Sequence, residues 1–250
     1  MSGHSKWSSI KHKKAIKDAR RGKLFTKLIR EVTVAAKMGG GDINANPRLR
    51  TAVLTARANS MPSDNIERAI KKGTGELEGV AYEDVMYEGY GPGGVAILVQ
   101  AVTDNRNRTV AELRRVFSRH GGNLGENGCV AWMFAKKAIV RVPKTCAREE
   151  QLMDIVLDVG AEDIADAGET FEIVAPPERV GEVKDALERA SITVESAEVS
   201  MVPQSTVDVG GKDAETALKL LEALDDADDV QSVSANLQVA QEDLERLGAG

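Results

Sequence analysis

Apolar residues first recur with helical spacing at Leu24, Phe25, Leu28, Ile29, Val32, Ala35 and Ala36, one face of a helix that Gly39, Gly40 and Gly41 bring to an end. Asn46 followed by Pro47 opens a second helix, the asparagine as cap and the proline in the first turn, with Leu49, Ala52, Val53 and Ala56 as its buried stripe. A third helix is expected to start at Ser63 or Asp64, where Asp64 and Glu67 have capping-box spacing. It should stop at Gly73, after Lys71 and Lys72, whose charges complement the helix dipole. Three short helices enclose a thin core, so this bundle must dock elsewhere or move on a linker. The segment GTGELEG (Gly73–Gly79) is the linker candidate.

The pattern then changes to alternating strands and helices. Strands are expected at Val85–Tyr90 and, after the turn GPGG, in the continuous apolar run VAILVQAV. DNRNRT follows as a loop, then a helix from Val110 to His120 with Thr109 and Glu112 as capping box and Gly121 just past its end. Further strands are expected at Cys129–Phe134 and Ala138–Val142. Next come a helix (Glu149–Val159), strands near Glu162–Ala165 and Thr170–Val174, a helix (Glu178–Ala190) and a strand (Thr193–Met201). From Ala138 this is β-α-β-β-α-β, the split βαβ order. A last helix (Ala214–Leu224) and strand (Val230–Leu237) can complete the sheet begun at Val85. The expectation is an α+β protein: an N-terminal helical bundle, then two ferredoxin-like-type α/β domains, the third inserted in the second. The boundaries fall at 1–75, at 80–136 plus 205–240, and at 137–204.

Composition narrows the class. Over 250 residues, 42% hydrophobic and 29% charged positions exclude disordered and collagen-like chains. Two distant cysteines, Cys129 and Cys146, make neither a disulfide framework nor a zinc-ligand set and favour a reducing, cytoplasmic setting. The longest apolar stretch, Gly94–Val102, is too short for a membrane span, and no apolar h-region follows the basic start. The net charge of −6 averages unlike regions. Residues 1–75 carry 17 Lys+Arg against 5 Asp+Glu, residues 76–142 carry 8 against 8, and residues 143–250 carry 8 against 26. A nucleic-acid partner is therefore expected at one end only.

The N-terminal segment carries the strongest signal. Lys6, Lys11, Lys13, Lys14, Lys17, Arg20, Arg21, Lys23, Lys27 and Arg30, joined by His12, are opposed before Glu31 only by Asp18. Such a cluster attracts phosphates by Coulomb force and counterion release without reading sequence. Trp7 lies within it, placed to stack on an unpaired base. The competing readings are a solvated charged face with Trp7 packed on a neighbouring domain, and a mitochondrial transit peptide. The poverty in acid suits the latter; Lys and His in place of Arg and Ser do not. Arg48, Arg50 and Arg57, with Arg68, Lys71 and Lys72, form a second cationic set on helices two and three, where plain solubilisation explains any single member as well. In Asp104–Thr109, Asn105, Arg106 and Arg108 precede a capped helix, so guanidinium forks and backbone amides can converge on one anion. The alternative is a polar loop in which Asp104 pairs an arginine.

The glycine runs fail the nucleotide fingerprints, since a strand follows YGPGG and GGNLGENG lacks the Lys-Ser/Thr of a phosphate loop. Three histidines (His4, His12 and His120) make no metal spacing with the cysteines, and nothing marks a nucleophile. Asp225, Asp226, Asp228 and Asp229 lack calcium-loop spacing and are expected to be a solvated acidic loop. Neither an enzyme nor a cofactor or metal is expected.

The segments GHSKWSSIKHKK, RRGKLFTKLIREV, NPRLRTAV, MPSDNIERAIKKG, YEGYGPGGVAILV, TDNRNRTVAELR and FSRHGGNLGENG, in this order, strongly resemble the YebC/PmpR family. MVPQSTV and LEALDDADDVQSVSANL resemble its C-terminal end, so the likeness spans nearly the whole chain. The resemblance implies a cytoplasmic three-domain protein that binds nucleic acid through the basic arm and through Asn105, Arg106 and Arg108. Bacterial members imply a DNA-binding transcriptional regulator. The mitochondrial relative, a translational activator of cytochrome oxidase, implies ribosomal or messenger RNA, or the ribosome itself, as partner. No membrane partner and a monomeric state are expected. Two departures stand out: Lys137-Ala138 where the family usually has Lys-Gly, and Cys129 and Trp132 at positions often Ser and Tyr.

Overall fold

The structure, a computed structural model, describes the backbone of residues 19–240 and side chains from residue 22 onward. Helix α1 (Ala19–Gly39) lays Leu28, Val32, Ala35 and Ala36 against α2 (Pro47–Ala58) and α3 (Ser63–Thr74). All four residues of the α2 stripe are buried. Asn46 caps α2 by accepting from the Leu49 N–H at 3.1 Å, and its amide donates to the carbonyls of Ala35 and Gly40, each at 2.8 Å. One buried side chain thus closes α1 and opens α2.

The ends of α3 differ from the sequence expectation. Its N-terminus has Pro62 at the cap and no side-chain hydrogen bond, so the Asp64–Glu67 box does not form. The helix runs through Gly73 and ends at Gly75, which takes the left-handed conformation (φ 82°). Gly73 is instead a contact glycine. A Cβ there would lie 2.3 Å from the Thr33 carbonyl oxygen and 2.7 Å from Ala36 Cβ, so its absence lets α1 and α3 approach.

Strands β1 (Glu83–Tyr90) and β2 (Ala96–Thr103) form a hairpin. Helix α4 (Arg106–Arg119) crosses to a short β3 (Asn123–Leu124) beside β1. The chain then builds a second sheet from β4 (Phe134–Pro143), β5 (Asp163–Asp166), β6 (Thr170–Ala175) and β7 (Ser196–Pro203), with α5 (Glu149–Val156) and α6 (Val180–Arg189) between them. It returns through β8 (Val207–Asp208) and α7 (Gly211–Asp225) to β9 (Val230–Ala235) and β10 (Leu237–Gln238). The first sheet has the order β3-β1-β2-β9 and the second β5-β6-β4-β7, all neighbours antiparallel. The second is the split βαβ arrangement. The first has its hairpin at the centre, and its last strand arrives only after the second sheet is complete.

β2 reads as an unbroken apolar run because both of its faces are covered. Ile97, Val99 and Ala101 pack under α4 and α7 with Leu113, Phe117, Leu220 and Leu224, while Ala96 and Leu98 meet Val130 and Phe134 on the other face. In the second sheet Val140, Val142 and Ile173 pack against Leu152, Val156, Val183 and Leu187 of its two helices. β4 runs straight through Lys137-Ala138, which pair with Ser200 and Val199.

The strand expected at Cys129–Phe134 is instead a short 3-10 turn over Ala131–Met133. Its cause is Glu88. That buried carboxylate accepts the backbone N–H groups of Gly128, Val130 and Ala131 at 2.6, 2.7 and 2.7 Å, which curls the chain around it. Burial pushes the Glu88 carboxyl up, but the three amides outweigh it and hold the group below the ordinary range. No helix among the described residues is long and apolar enough to cross a membrane.

Candidate nucleic-acid interface

Helix α1 sets three of its cations, Lys23, Lys27 and Arg30, on the loop between α7 and β9. Lys23 Nζ donates to the Asp226 carbonyl at 3.1 Å and Lys27 Nζ to the Asp225 carbonyl at 2.5 Å. Arg30 donates to the Asp228 carbonyl and pairs with Asp229 Oδ1 at 2.9 Å. Its guanidinium also lies 5.6 Å from the centre of the Tyr82 ring. The α7 C-terminus supplies the chemistry for this, because its last carbonyls carry partial negative charge that four aspartates reinforce. The acidic loop, expected to be solvated, is the dock for the helical bundle.

Asp229 is the hub, with its side chain only 3% exposed. Besides Arg30 it receives Arg108 Nη2 at 3.1 Å and the Thr109 hydroxyl at 2.7 Å, with the Thr103 hydroxyl 3.2 Å away. Burial pushes the Asp229 carboxyl up; the Thr109 and Arg108 hydrogen bonds and the two guanidinium charges more than reverse that. Three elements therefore meet on one carboxylate: α1, α4 and the loop before β9.

Asn105, Arg106, Arg108, Arg48 and Arg50 also find partners nearby. Asn105 is the N-cap of α4, its side chain accepting from the Arg108 N–H at 3.1 Å, so the helix starts at Arg106 rather than Val110. DNRNRT is thus a capped first turn rather than a loop. Arg106 pairs with Glu83 at 2.5 Å, and Arg108 also pairs with Asp104 at 2.6 Å. Arg48 bridges Glu31 at 2.7 Å and Asp84 at 2.6 Å, joining the bundle to β1. Arg50 donates to the carbonyls of Ile43 and Asn44, and Arg57 is exposed on α2. Lys6, Trp7, Lys11, His12, Lys13, Lys14 and Lys17 lie outside the described residues, as do the side chains of Arg20 and Arg21.

The structure adds residues that the sequence pattern did not single out. Asp229, Glu83, Asp84 and Glu31 are the carboxylates that take up the arginines. Arg114, Arg115 and Arg119 on α4 are exposed and have no hydrogen-bond or ion-pair partner among the described residues. A helical wheel would have set these three apart from Leu113 and Phe117; no local pattern distinguishes Asp229 from its neighbouring aspartates. Among the described residues no group of three or more His, Cys, Asp or Glu could hold a metal ion.

A basic helical bundle clasped to a pair of antiparallel α/β units is also what comparison with known proteins returns. The TACO1/YebC protein N-terminal domain matches residues 5–76, and the TACO1/YebC second and third domain matches residues 82–237. The chain belongs to the TACO1/YebC family. It is 57% identical over 242 residues to a "Probable transcriptional regulatory protein" of Desulforapulum autotrophicum, covering 97% of this chain and 98% of that one. A protein of the same description from Geobacter sulfurreducens is 57% identical over 247 residues, 99% of this chain and 100% of the other. A crystal structure of a conserved hypothetical protein from Aquifex aeolicus superposes with a TM-score of 0.85 at 51% identity, over 93% of this chain and 96% of that one. The named relatives are described as regulatory proteins, not as enzymes.

Proposed function

We propose that this protein is a nucleic-acid-binding regulator of gene expression, acting on DNA as a cytoplasmic transcriptional regulator without enzymatic activity. Its working units are residues 1–75, 80–136 plus 205–240, and 137–204. One observation carries the reading: 17 basic against 5 acidic residues in the first 75, within a family whose relatives are described as transcriptional regulators. The side chains from Lys23 to Arg30 spend their charge on the 225–229 loop. Phosphate contact therefore falls to the cations that precede them, Lys6 to Arg21. Replacing Lys11, Lys13, Lys14 and Lys17 with Ala should weaken nucleic-acid binding and flatten its salt dependence by about one phosphate contact per lysine engaged. Unchanged affinity and slope would remove the arm from the interface.

A ribosome-associated translation factor acting on RNA is the second reading, and one observation favours it. The Trp132 ring is 69% exposed, and its indole N–H is held by the Cys129 carbonyl at 3.2 Å, a fixed surface on which an unpaired base can stack. Genome-wide DNA crosslinking and polysome-gradient sedimentation of the tagged protein separate the two. Enriched promoters support the regulator of transcription; nuclease-sensitive cosedimentation with ribosomes and no enriched promoters overturns it in favour of the second.

A further inference from the structure

We propose that the solvent face of α4 is a second phosphate-binding surface, on which Arg115 and Arg119 hold a nucleic-acid backbone along a track leading away from Arg108. The proposal rests on the nucleic-acid reading above and adds a site remote from the N-terminal arm. At 3.6 residues per turn, positions 108, 115 and 119 fall in one narrow stripe, because spacings of seven and four both return close to the same face. Thr109, Leu113 and Phe117 occupy the opposite, buried side. From Arg108 to Arg119 the stripe runs roughly 16 Å along a helix of 14 residues, with Arg114 about 100° around from Arg115.

The distribution of ion pairs sets this face apart. Elsewhere on the two sheet units most basic side chains are neutralised locally: Arg106 by Glu83 at 2.5 Å, Lys137 by Glu162 at 2.6 Å, Lys144 by Asp166 at 2.6 Å and Lys219 by Glu215 at 2.6 Å. Arg115 and Arg119 pair with no carboxylate among the described residues, although half-buried Glu112 lies within the same stripe, three positions before Arg115 and seven before Arg119. The dipole at the end of α4 gives Arg119 a structural reason to be there, but not Arg115, which sits a turn earlier. The exposed neighbours, Ala111, Arg114 and Ser118, are small or charged, so the face lacks the apolar centre that a protein partner would need. Guanidinium groups without apolar surroundings match phosphate oxygens. Because α4 begins where Arg30 and Arg108 share Asp229, a strand lying on it leads to α1, the helix that continues the basic N-terminal segment.

The test compares four proteins: wild type, Arg115→Ala/Arg119→Ala, Arg115→Lys/Arg119→Lys, and Arg148→Ala/Lys212→Ala, the last removing two exposed cations from other faces. Each is titrated by fluorescence anisotropy against a short mixed-sequence duplex DNA and a single-stranded RNA of equal length, at several salt concentrations. Loss of two phosphate contacts should weaken binding by on the order of tenfold and reduce the log–log salt slope by roughly 1.8 on duplex or 1.4 on single strand, with the control near wild type. Arg115→Lys/Arg119→Lys should restore most of the slope. These side chains are exposed and make no hydrogen bond or ion pair among the described residues, so thermal midpoints should coincide. The proposal is overturned if the α4 variant and the control behave alike. It is overturned separately if the α4 variant keeps its nucleic-acid affinity but loses affinity for an oligoglutamate probe, which would reassign the face to an acidic protein. Wild type that binds neither nucleic acid would refute the underlying functional reading itself.

Discussion

At the level of single residues, two buried carboxylates hold distant parts of the chain together. Asp229 collects two guanidinium groups and two threonine hydroxyls, and Glu88 collects three backbone amides. Removing Asp229 leaves the mostly buried Arg30 guanidinium with the Asp228 carbonyl but no carboxylate, while half-exposed Arg108 keeps Asp104, so Asp229→Ala should cost about 2–3 kcal/mol in urea unfolding. A loss below ~1 kcal/mol would mean that Arg30 and Arg108 find water instead. The same two groups set an acid limit. Both carboxyls titrate lower in the folded protein than in the unfolded chain. Their stabilisation is therefore complete above the unfolded values near 4.5 and 3.8, and drains away as pH falls through the depressed folded ones. Urea midpoints measured from pH 7 downward should hold until about pH 5 and then fall, and Glu88→Gln should flatten the fall. Were the midpoints to rise on acidification, the assigned direction of both shifts would be wrong.

Among elements, α4 shows where side-chain pattern informs and where it misleads. Asn105, in a segment that reads as a loop, is the α4 cap: its Oδ1 accepts from the Arg108 N–H, while its exposed amide NH2, with no partner among the described residues, stays free to donate. Asn105→Ala should therefore lower stability by about 1 kcal/mol in thermal unfolding, whereas Asn105→Asp, which keeps the capping oxygen, should not. Local chemistry made much of the fold legible: the α2 stripe and its Asn46-Pro47 start, the β2 apolar run, and the β-α-β-β-α-β order of the second sheet all follow from periodicity and caps. What stayed hidden depends on contacts between residues far apart in the chain. Glu88 reaches across 40 or more positions to bend a segment whose composition reads as strand, and Asp229 pairs across 121 positions with Arg108. Gly73 was equally opaque, because a glycine after two lysines looks like a helix stop when the neighbouring helix is unseen. Gly73→Ala should destabilise by roughly 1–3 kcal/mol, since the added methyl meets α1, whereas Gly22→Ala, with nothing within 4 Å, should gain up to ~1 kcal/mol. Equal effects of the two substitutions would remove the close-approach argument.

For the molecule as a whole, the opposed charges of its two ends are an internal as well as an external device. Part of the N-terminal surplus is spent on the acidic C-terminal half, through α1 on the 225–229 loop, and Arg48 adds a second clamp through Glu31 and Asp84. Between the bundle and β1 runs an exposed stretch, Gly75 to Ala81, containing Glu76 and Glu78. Charge pairs and hydrogen bonds to carbonyls therefore help to hold the bundle in place, beside Val34 of α1, which is buried outside the bundle's own core. Arg30→Ala/Arg48→Ala removes the arginine contacts of both clamps, leaving Lys23 and Lys27 on the Asp226 and Asp225 carbonyls, without touching any of the apolar cores. A glutamate-specific protease should then cut at Glu76 or Glu78 on the order of tenfold faster than in wild type, because losing ~1–2 kcal/mol of docking raises the open population by that factor. The fragment beginning near residue 79 should stay resistant, since its two sheets keep their own helices. Cleavage at the wild-type rate would show that the bundle is held by packing instead, and that the charge asymmetry serves only the partner outside.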